Sequence, residues 1–121
     1  MDKKILVVDD DSDILEPMSV ILKNEGYIVD VSSKGNETFY KIDKFKPDLI
    51  ILDILMSGTD GRTICKKIKQ DKRTKDIPVI MMSAHPGVER DSNESGADDF
   101  LEKPFDLEDL ILTVKKYTTK N

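Results

Sequence analysis

Side chains able to take part in phosphoryl chemistry follow short apolar runs at separate points of the chain. They are three carboxylates, one hydroxyl and one ammonium group: Asp9, Asp10, Asp53, Ser83 and Lys103. Carboxylate oxygens are the ligands that a hard cation such as Mg²⁺ prefers, and a carboxylate can also act as a nucleophile that forms an acyl phosphate. A hydroxyl and an ammonium group suit the oxygens of a phosphoryl group. Brought together, these side chains would form a site for a divalent cation and a phosphoryl group.

The spacing of apolar residues predicts the elements that must position this site. Apolar runs predict strands at about residues 4–9, 27–31, 48–53, 79–83 and 98–101, and helical patterns predict helices at about 13–24, 36–44, 61–70 and 106–118. The alternation predicts an α/β domain of (βα)5 type, a three-layer, doubly wound, five-stranded parallel sheet of flavodoxin-like topology. In such a sheet the carboxyl ends of all strands share one edge, where ligands bind.

The first predicted helix carries clear end signals. Ser12 is its predicted N-cap and Gly26 closes it. Asp11 and Asp13 are interpreted as charges favoured by the start of the helix dipole. Pro17 lies inside the helix, where it removes one main-chain hydrogen bond, so we expect the helix to continue through it with a bend.

The stretch from His85 to Ser95 has the weakest structural signals of the chain. Val88 is its only sizeable aliphatic residue, so the apolar stripe of a fourth helix is missing. Little apolar area is therefore available to offset the entropy of ordering this stretch. We expect it to be loosely ordered.

Composition and charge limit the classes of function. A chain of 121 residues with 38% hydrophobic and 36% charged residues predicts one globular domain over residues 1–121. Its net charge of -5 leads us to expect no direct nucleic-acid partner and no membrane partner. The sequence has no apolar run of membrane-spanning length and no signal-peptide core. Its one cysteine cannot form an internal disulfide, so we expect a cytoplasmic location.

Four sequence motifs carry a resemblance that covers essentially the whole chain. They are ILVVDDDSDIL, PDLIILDILMSGTDG, VIMMSA and GADDFLEKPF, in that order and at predicted strand ends. Together they resemble the receiver domain of bacterial two-component response regulators. The resemblance implies a signalling module that takes a phosphoryl group from a sensor histidine kinase or a phosphotransfer protein. It also implies labelling by phosphodonors and self-catalysed dephosphorylation, without turnover of an outside substrate.

The resemblance assigns the metal and phosphoacceptor roles residue by residue. Asp53 matches the phosphoacceptor, Asp10 the direct Mg²⁺ ligand and Asp9 the acid that usually reaches the metal through water. Leu55 matches the residue whose main-chain carbonyl completes the coordination. Mg²⁺ is the implied cofactor, with Mn²⁺ as an alternative ion.

The resemblance also identifies phosphate-binding and switching positions. Lys103, followed by Pro104, matches the phosphate-binding lysine of the family. Ser83 matches the switch hydroxyl and Phe100 the switch aromatic. These positions imply a conformational change that signals to a downstream protein target, and a phosphorylation-dependent homodimer is a further implied partner.

The chain departs from the family pattern in two places. Ser57 stands where the family usually has proline, so we expect a less rigid loop after Asp53. The segment between Ser83 and Gly96 is slightly shorter than usual and lacks the stripe of the fourth helix. That helix borders a face where many receivers dimerise or bind targets. The sequence therefore supports the phosphoacceptor chemistry more strongly than any particular way of signalling to a partner.

Two other functions compete with the phosphoacceptor. An Mg²⁺-dependent phosphatase with an aspartate nucleophile is disfavoured, because the best-known fold of that kind has a second acid where this chain has Leu55. A phosphorylation-independent interaction module is disfavoured by the presence of all the site residues. A nucleotide-binding domain would need a glycine-rich phosphate loop, which the sequence lacks.

Several features allow two interpretations from the sequence. His85 is either a solvated loop residue or a group that orders water near the site. The basic run around Lys66 and Lys72 is interpreted as a solvated helix face, and Cys65 as a half-buried packing residue. The extent of the chain leaves no room for an effector domain, so the protein is either a stand-alone receiver or a piece of a longer regulator.

Overall fold

The computed structural model describes residues 2–119 of the chain. Their strands are β1 (Lys4–Val8), β2 (Ile28–Ser32), β3 (Leu49–Asp53), β4 (Leu55–Met56), β5 (Thr59–Asp60), β6 (Val79–Ser83) and β7 (Asp99–Glu102). Their helices are α1 (Ser12–Asn24), α2 (Thr38–Phe45), α3 (Gly61–Gln70), α4 (Val88–Ser95) and α5 (Leu107–Thr118), with a 3-10 turn at Gly35–Glu37. Within residues 2–119, no helix is long and apolar enough to cross a lipid bilayer.

The main sheet has the strand order β2-β1-β3-β6-β7, and every neighbouring pair in it is parallel. The predicted doubly wound, five-stranded parallel sheet is therefore confirmed. This order is that of the flavodoxin-like fold, in which the chain starts near the middle of the sheet and winds to both sides. Because the strands run in one direction, the carboxyl ends of β1, β3, β6 and β7 meet at one edge.

Each face of the sheet is covered by its own apolar layer, which gives the three predicted layers. Alternate residues of β1 point to opposite faces, so Ile5 and Val7 join one layer while Leu6 and Val8 join the other. Helices α1 and α5 complete the first layer, and α2, α3 and α4 complete the second. Strand β3 is buried along its whole length, so its end holds Asp53 on a rigid support.

The start of α1 differs from the prediction by one residue. Asp11, not Ser12, is the N-cap, because Asp11 has an extended backbone and its side chain accepts a hydrogen bond from Asp13 N at 3.0 Å. Ser12 is the first residue of the helix. The helix continues through Pro17, as expected, and Gly26 follows its C-cap with a positive φ of 96°.

The stretch with the weakest signals forms the fourth helix that the (βα)5 arrangement requires, and its loose ordering stays a prediction. Val88–Ser95 form α4, which begins after Gly87 and ends before Gly96, both with positive φ. The buried residues have the spacing of a helix face, but most of them are polar: Val88, Asp91, Ser92 and Ser95. Apolar periodicity does not reveal such a face, because its residues are mostly polar and are buried by packing against neighbouring elements.

The segment after Asp53 is more ordered than the predicted loop. Strands β4 and β5 pair as a short antiparallel hairpin, with Leu55 opposite Asp60. Gly61 follows the hairpin so closely that a side chain there would collide with the carbonyl oxygen of Asp53. Glycine therefore allows α3 to begin directly against the end of β3.

Candidate functional site

The edge formed by adjacent strand ends gathers most of the predicted site residues. Asp9 directly follows β1, Asp53 ends β3, Ser83 ends β6 and Lys103 directly follows β7. These four strands are neighbours in the sheet order, so their ends are also neighbours. Asp10 lies one residue further on, in the loop that leads into α1. Residues far apart in the sequence thus occupy one end of the molecule.

Lys103 forms ion pairs with two of the carboxylates. Its Nζ lies 2.7 Å from Asp9 Oδ2 and 3.1 Å from Asp53 Oδ1. Asp9 and Asp53 are buried, with 1% and 4% of their surfaces exposed. Removing Lys103 would leave both carboxylates as uncompensated charges inside the protein. One ammonium group, which follows β7, therefore joins two carboxylates from the ends of β1 and β3.

The surroundings of Asp53 favour the protonated carboxyl group. Burial and the negative charge of Asp9 together raise the pKa of Asp53 from 3.8 to about 6, although Lys103 opposes the shift. At pH 7 and above, Asp53 is still mostly ionised. Burial lowers the pKa of Lys103, but its hydrogen bond to Asp9 and the two carboxylate charges outweigh burial and leave this pKa raised. The ammonium form of Lys103 is therefore retained.

Three carboxylates lie close enough together to hold one cation. One oxygen from each of Asp9, Asp10 and Asp53 belongs to a group whose members all lie within 4.8 Å of one another. Oxygen donors of this kind match the ligand preference of Mg²⁺ and Mn²⁺. The three negative charges outnumber the single positive charge of Lys103, so a divalent cation would neutralise the excess. Asp10 is exposed, which gives water and ions access, and the residues fit the ion.

Main-chain N–H groups orient the two acids that follow β1. Asp9 Oδ1 accepts a hydrogen bond from Asp11 N at 3.0 Å, and Asp10 Oδ2 accepts one from Ser57 N at 2.7 Å. The second bond joins the loop after β1 to the turn between β4 and β5. The sequence identified the acids but not these donors, because nearly every residue has an N–H and only the fold shows which one faces a carboxylate.

Ser83 stands on the strand between Asp53 and Lys103. Its hydroxyl accepts a hydrogen bond from His85 N at 2.9 Å, and its carbonyl accepts one from Lys103 N at 2.9 Å. The hydroxyl acts as an acceptor in the first bond, so its own proton remains for donation to an incoming oxygen. Ser83 thus joins the site to the segment that leads into α4.

The two remaining predicted residues lie beside the cluster. Leu55 is in β4, two residues after Asp53, and its side chain is 53% exposed. Phe100 is in β7, half-buried and packed against the apolar layer that contains Val88 of α4.

A second ion pair, which the sequence did not predict, connects α3 to α4. Arg62 at the start of α3 lies 3.8 Å from the buried carboxylate of Asp91 and 2.7 Å from Asp60. The link depends on how the two helices pack, so residue spacing alone carries no signal for it. It gives α4 an attachment close to the loop that follows Asp53.

The structure shows the surroundings of His85 and Cys65, whose roles the sequence did not decide. His85 is exposed, and its main-chain N–H is the donor to Ser83. Cys65 is fully buried on α3, and burial raises the pKa of its thiol to about 11. A buried thiol with a raised pKa is unreactive, so the packing interpretation of Cys65 stands, with deeper burial than expected.

Comparison with known families agrees with this geometry. A family model described as the response regulator receiver domain matches residues 5–115. This chain belongs to the response regulator receiver domain family. The fold and the sequence resemblance therefore lead to the same family.

Relatives of this receiver domain include regulators of transcription and of chemotaxis. It is 38% identical over 114 residues to the DNA-binding dual master transcriptional regulator RpaA of Synechocystis sp., covering 93% of this chain and 47% of RpaA. It is 39% identical over 115 residues to the transcriptional regulatory protein ResD of Bacillus subtilis, covering 93% of this chain and 46% of ResD. The structure of the chemotaxis protein CheY4 of Vibrio cholerae matches with a TM-score of 0.89 at 29% identity, covering 97% and 99% of the two chains.

The relatives correct one expectation about partners. This receiver domain spans about half the length of the curated relatives named above. RpaA is named as DNA-binding, so the expectation of no nucleic-acid partner, drawn from the net charge of -5, is contradicted. The physical reason is that the net charge describes only the 121 residues of this chain. It says nothing about the parts of these regulators that lie outside the match.

Proposed function

We propose that this receiver domain accepts a phosphoryl group on Asp53 from the phosphohistidine of a sensor kinase or of a phosphotransfer protein. The observation that carries the proposal is the position of Lys103, whose Nζ lies 3.1 Å from Asp53 Oδ1. An ammonium group beside the nucleophile meets the charge that develops on the phosphoryl oxygens. The same group keeps Asp53 and Asp9 together before the phosphoryl group arrives.

The transfer is a displacement at phosphorus. A carboxylate oxygen of Asp53 forms a bond to phosphorus as the bond between phosphorus and the histidine nitrogen breaks. The electron pair of the broken bond stays on the imidazole, which is neutral after proton exchange with water. The pKa of about 6 leaves Asp53 mostly ionised at neutral pH, as this role requires. The product is an acyl phosphate on Asp53, which water later hydrolyses.

The neighbouring residues would hold a divalent metal ion. Asp9, Asp10 and Asp53 would bind Mg²⁺, with the main-chain carbonyl of Leu55 as a further ligand. When bound, Mg²⁺ supplies positive charge that neutralises phosphoryl oxygens. The burial of Asp9 and the exposure of Asp10 support an ion held at the mouth of the site.

Phosphorylation would change the segment that leads into α4. The Ser83 hydroxyl, which accepts from His85 N at 2.9 Å, would turn to donate to a phosphoryl oxygen. This movement would alter the hydrogen bond at the start of the segment and shift the balance between two positions of α4. Phe100, packed in the same apolar layer as Val88, would respond to that shift.

The partners follow from this role and from the relatives. The inputs are a sensor histidine kinase or a phosphotransfer protein, and the output is a downstream protein target or a phosphorylation-dependent homodimer. A regulator of the RpaA type would reach DNA through a part of the full-length protein outside the matched half. We place the protein in the cytoplasm, where such kinases present their phosphohistidine.

Phosphorylation with a small phosphodonor tests the proposal. With acetyl phosphate and Mg²⁺, the intact mass should rise by one phosphoryl group, because Asp53 is the nucleophile. Asp53→Asn should abolish the increase, because an amide does not form a stable acyl phosphate under these conditions. Asp76→Asn is the matched control, since Asp76 is exposed and precedes the amino end of β6, opposite the site edge, and it should be labelled normally.

Two results would contradict the assignment. One is full labelling of the Asp53→Asn variant, which would place the phosphoryl group elsewhere. The other is undiminished labelling of the wild type in the presence of a chelator, which would remove the role of the divalent cation.

A further inference from the structure

The exposed carboxylate of Asp10 is tied to a distant turn by one hydrogen bond. Ser57 N donates to Asp10 Oδ2 at 2.7 Å, across 47 positions of sequence. Asp9 differs, because it is buried and its position is fixed by Lys103 and by Asp11 N. Asp10 is therefore the acid of the cluster whose direction depends on the turn between β4 and β5.

The turn presents this N–H because of its backbone shape. Ser57 and Gly58 are its central residues, between the paired Met56 and Thr59, and of the two only Gly58 has a positive φ, of 73°. That combination is the pattern of a type II turn. A proline at position 57 would have no N–H to donate. The bond to Asp10 therefore exists because the chain has a residue other than proline at this position.

We infer that the main-chain N–H of Ser57 positions Asp10 for binding the divalent cation, so that Ser57 sets the metal affinity of the site. One oxygen of the Asp10 carboxylate accepts from Ser57, which leaves the other oxygen to face the ion. Hydrogen bonds that orient a metal ligand commonly change metal affinity by about 10–100-fold. This inference rests on the proposed function, because it concerns the same cation.

The arrangement also couples the ion to the loop after the phosphoacceptor. A cation that holds Asp10 holds the turn through Ser57, and an ordered turn in return presents Asp10 to the cation. Such coupling is reciprocal, because both events stabilise the same conformation. The hairpin also carries Leu55, so cation binding should reduce the mobility of that part of the site.

Substitution at position 57 tests the inference. Ser57→Pro removes the N–H and little else, because proline is common at the first central position of a type II turn and Met56 before it is already in a strand. Ser57→Ala is the conservative variant, which keeps the N–H and removes the exposed hydroxyl. Titration with MgCl₂ by calorimetry should give a dissociation constant about 10-fold weaker for Ser57→Pro, and a wild-type value for Ser57→Ala.

The outcomes separate this inference from the proposed function. The inference would be overturned if Ser57→Pro bound Mg²⁺ with wild-type affinity, or if Ser57→Pro and Ser57→Ala lost equal affinity for Mg²⁺. In either case the proposed function would still stand. A wild type that binds no Mg²⁺ would overturn both.

A second measurement needs no proline variant and so does not depend on its folding. In metal-free buffer, the Ser57 amide hydrogen should exchange slowly in the wild type and at least about tenfold faster in Asp10→Ala, because the acceptor is then missing. Fast exchange in the wild type would show that the bond does not form, and the inference would fail.

Discussion

The layer beneath α1 and α5 and the site edge beside α4 bury different kinds of side chains. The inward face of α5 carries Leu110 and Val114, and its buried polar residue, Thr118, is hydrogen-bonded to Tyr27 at 2.8 Å. The site edge buries the charged groups of Asp9 and Asp53. The inward face of α4 is also mostly polar, with Asp91, Ser92 and Ser95 beside Val88. Within residues 2–119, the buried hydroxyl of Ser92 has no hydrogen-bond partner.

The difference shows how the fold separates stability from function. Apolar burial stabilises the folded state in proportion to the area removed from water. Buried polar and charged groups destabilise it unless partners compensate them fully. The layer beneath α1 and α5 therefore stabilises the fold, while the site edge retains the buried charged groups on which the proposed phosphoryl chemistry depends. Removing an apolar side chain from the layer should therefore lower the free energy of unfolding, whereas removing an uncompensated buried group from the site edge should not lower it.

The largest effect is expected in the apolar layer. Leu110→Ala should lower the free energy of unfolding by about 2–5 kcal/mol, because Leu110 is fully buried and the smaller side chain leaves a cavity. Leu112 on the same helix is 60% exposed, so Leu112→Ala is the matched control and should change the free energy by less than about 0.5 kcal/mol. Urea unfolding measures both. Similar losses for the two variants would remove the distinction between the layer and the surface.

An effect of opposite sign is expected at the site. Asp53→Asn should raise the free energy of unfolding by about 1–3 kcal/mol at pH 8 in metal-free buffer, because it removes a buried charge that repels Asp9. The pKa of Asp53 is about 6 when folded and 3.8 in its ordinary state, so the folded form binds the proton more tightly. The wild type therefore becomes less stable as the pH rises from about 4 through about 6, because Asp53 loses its proton over this range. The Asp53→Asn variant has no such proton to lose, so its stability does not fall in this way.

Urea unfolding of both proteins across this pH range checks the prediction. The advantage of Asp53→Asn should shrink below pH 5, where the wild-type carboxyl group is protonated. Adding Mg²⁺ at pH 8 should also shrink it, because the cation compensates the same charge. A variant that is less stable than the wild type at pH 8 would show that the bond between Lys103 and Asp53 outweighs the repulsion.

The smallest effect is expected inside α4. Ser92→Ala should leave the free energy of unfolding unchanged or raise it by up to about 1 kcal/mol, because the lost hydroxyl has no partner within residues 2–119. Ser95→Ala is the matched control, since it gains the same helix propensity but loses the hydrogen bond from Ser95 Oγ to Asp91 O at 2.7 Å. Ser92→Ala should be the more stable of the two by about 1 kcal/mol. The reverse order would mean that the Ser92 hydroxyl forms a hydrogen bond in solution.

The same two regions show why some parts of the structure could be predicted and others could not. The five strands of the main sheet and α5 have strong apolar patterns, so their types were predicted and their bounds agree within about two residues. The face of α4 has the spacing of a helix without the hydropathy, so the sequence defined no bounds for this helix. At the start of α1, Asp11 and Ser12 are both good capping residues, so only the backbone conformation decided between them.

The sequence by itself predicted the fold class, the sheet edge that carries the candidate site, and the residues gathered there: Asp9, Asp10, Asp53, Ser83 and Lys103. It could do so because apolar runs define parallel strands, and parallel strands bring their ends to one edge. Tertiary structure alone decided that Lys103 joins Asp9 to Asp53, that Ser57 N holds Asp10, and that α4 forms. Those features depend on atoms that are far apart in sequence and are fixed only when the packed chain sets their distances.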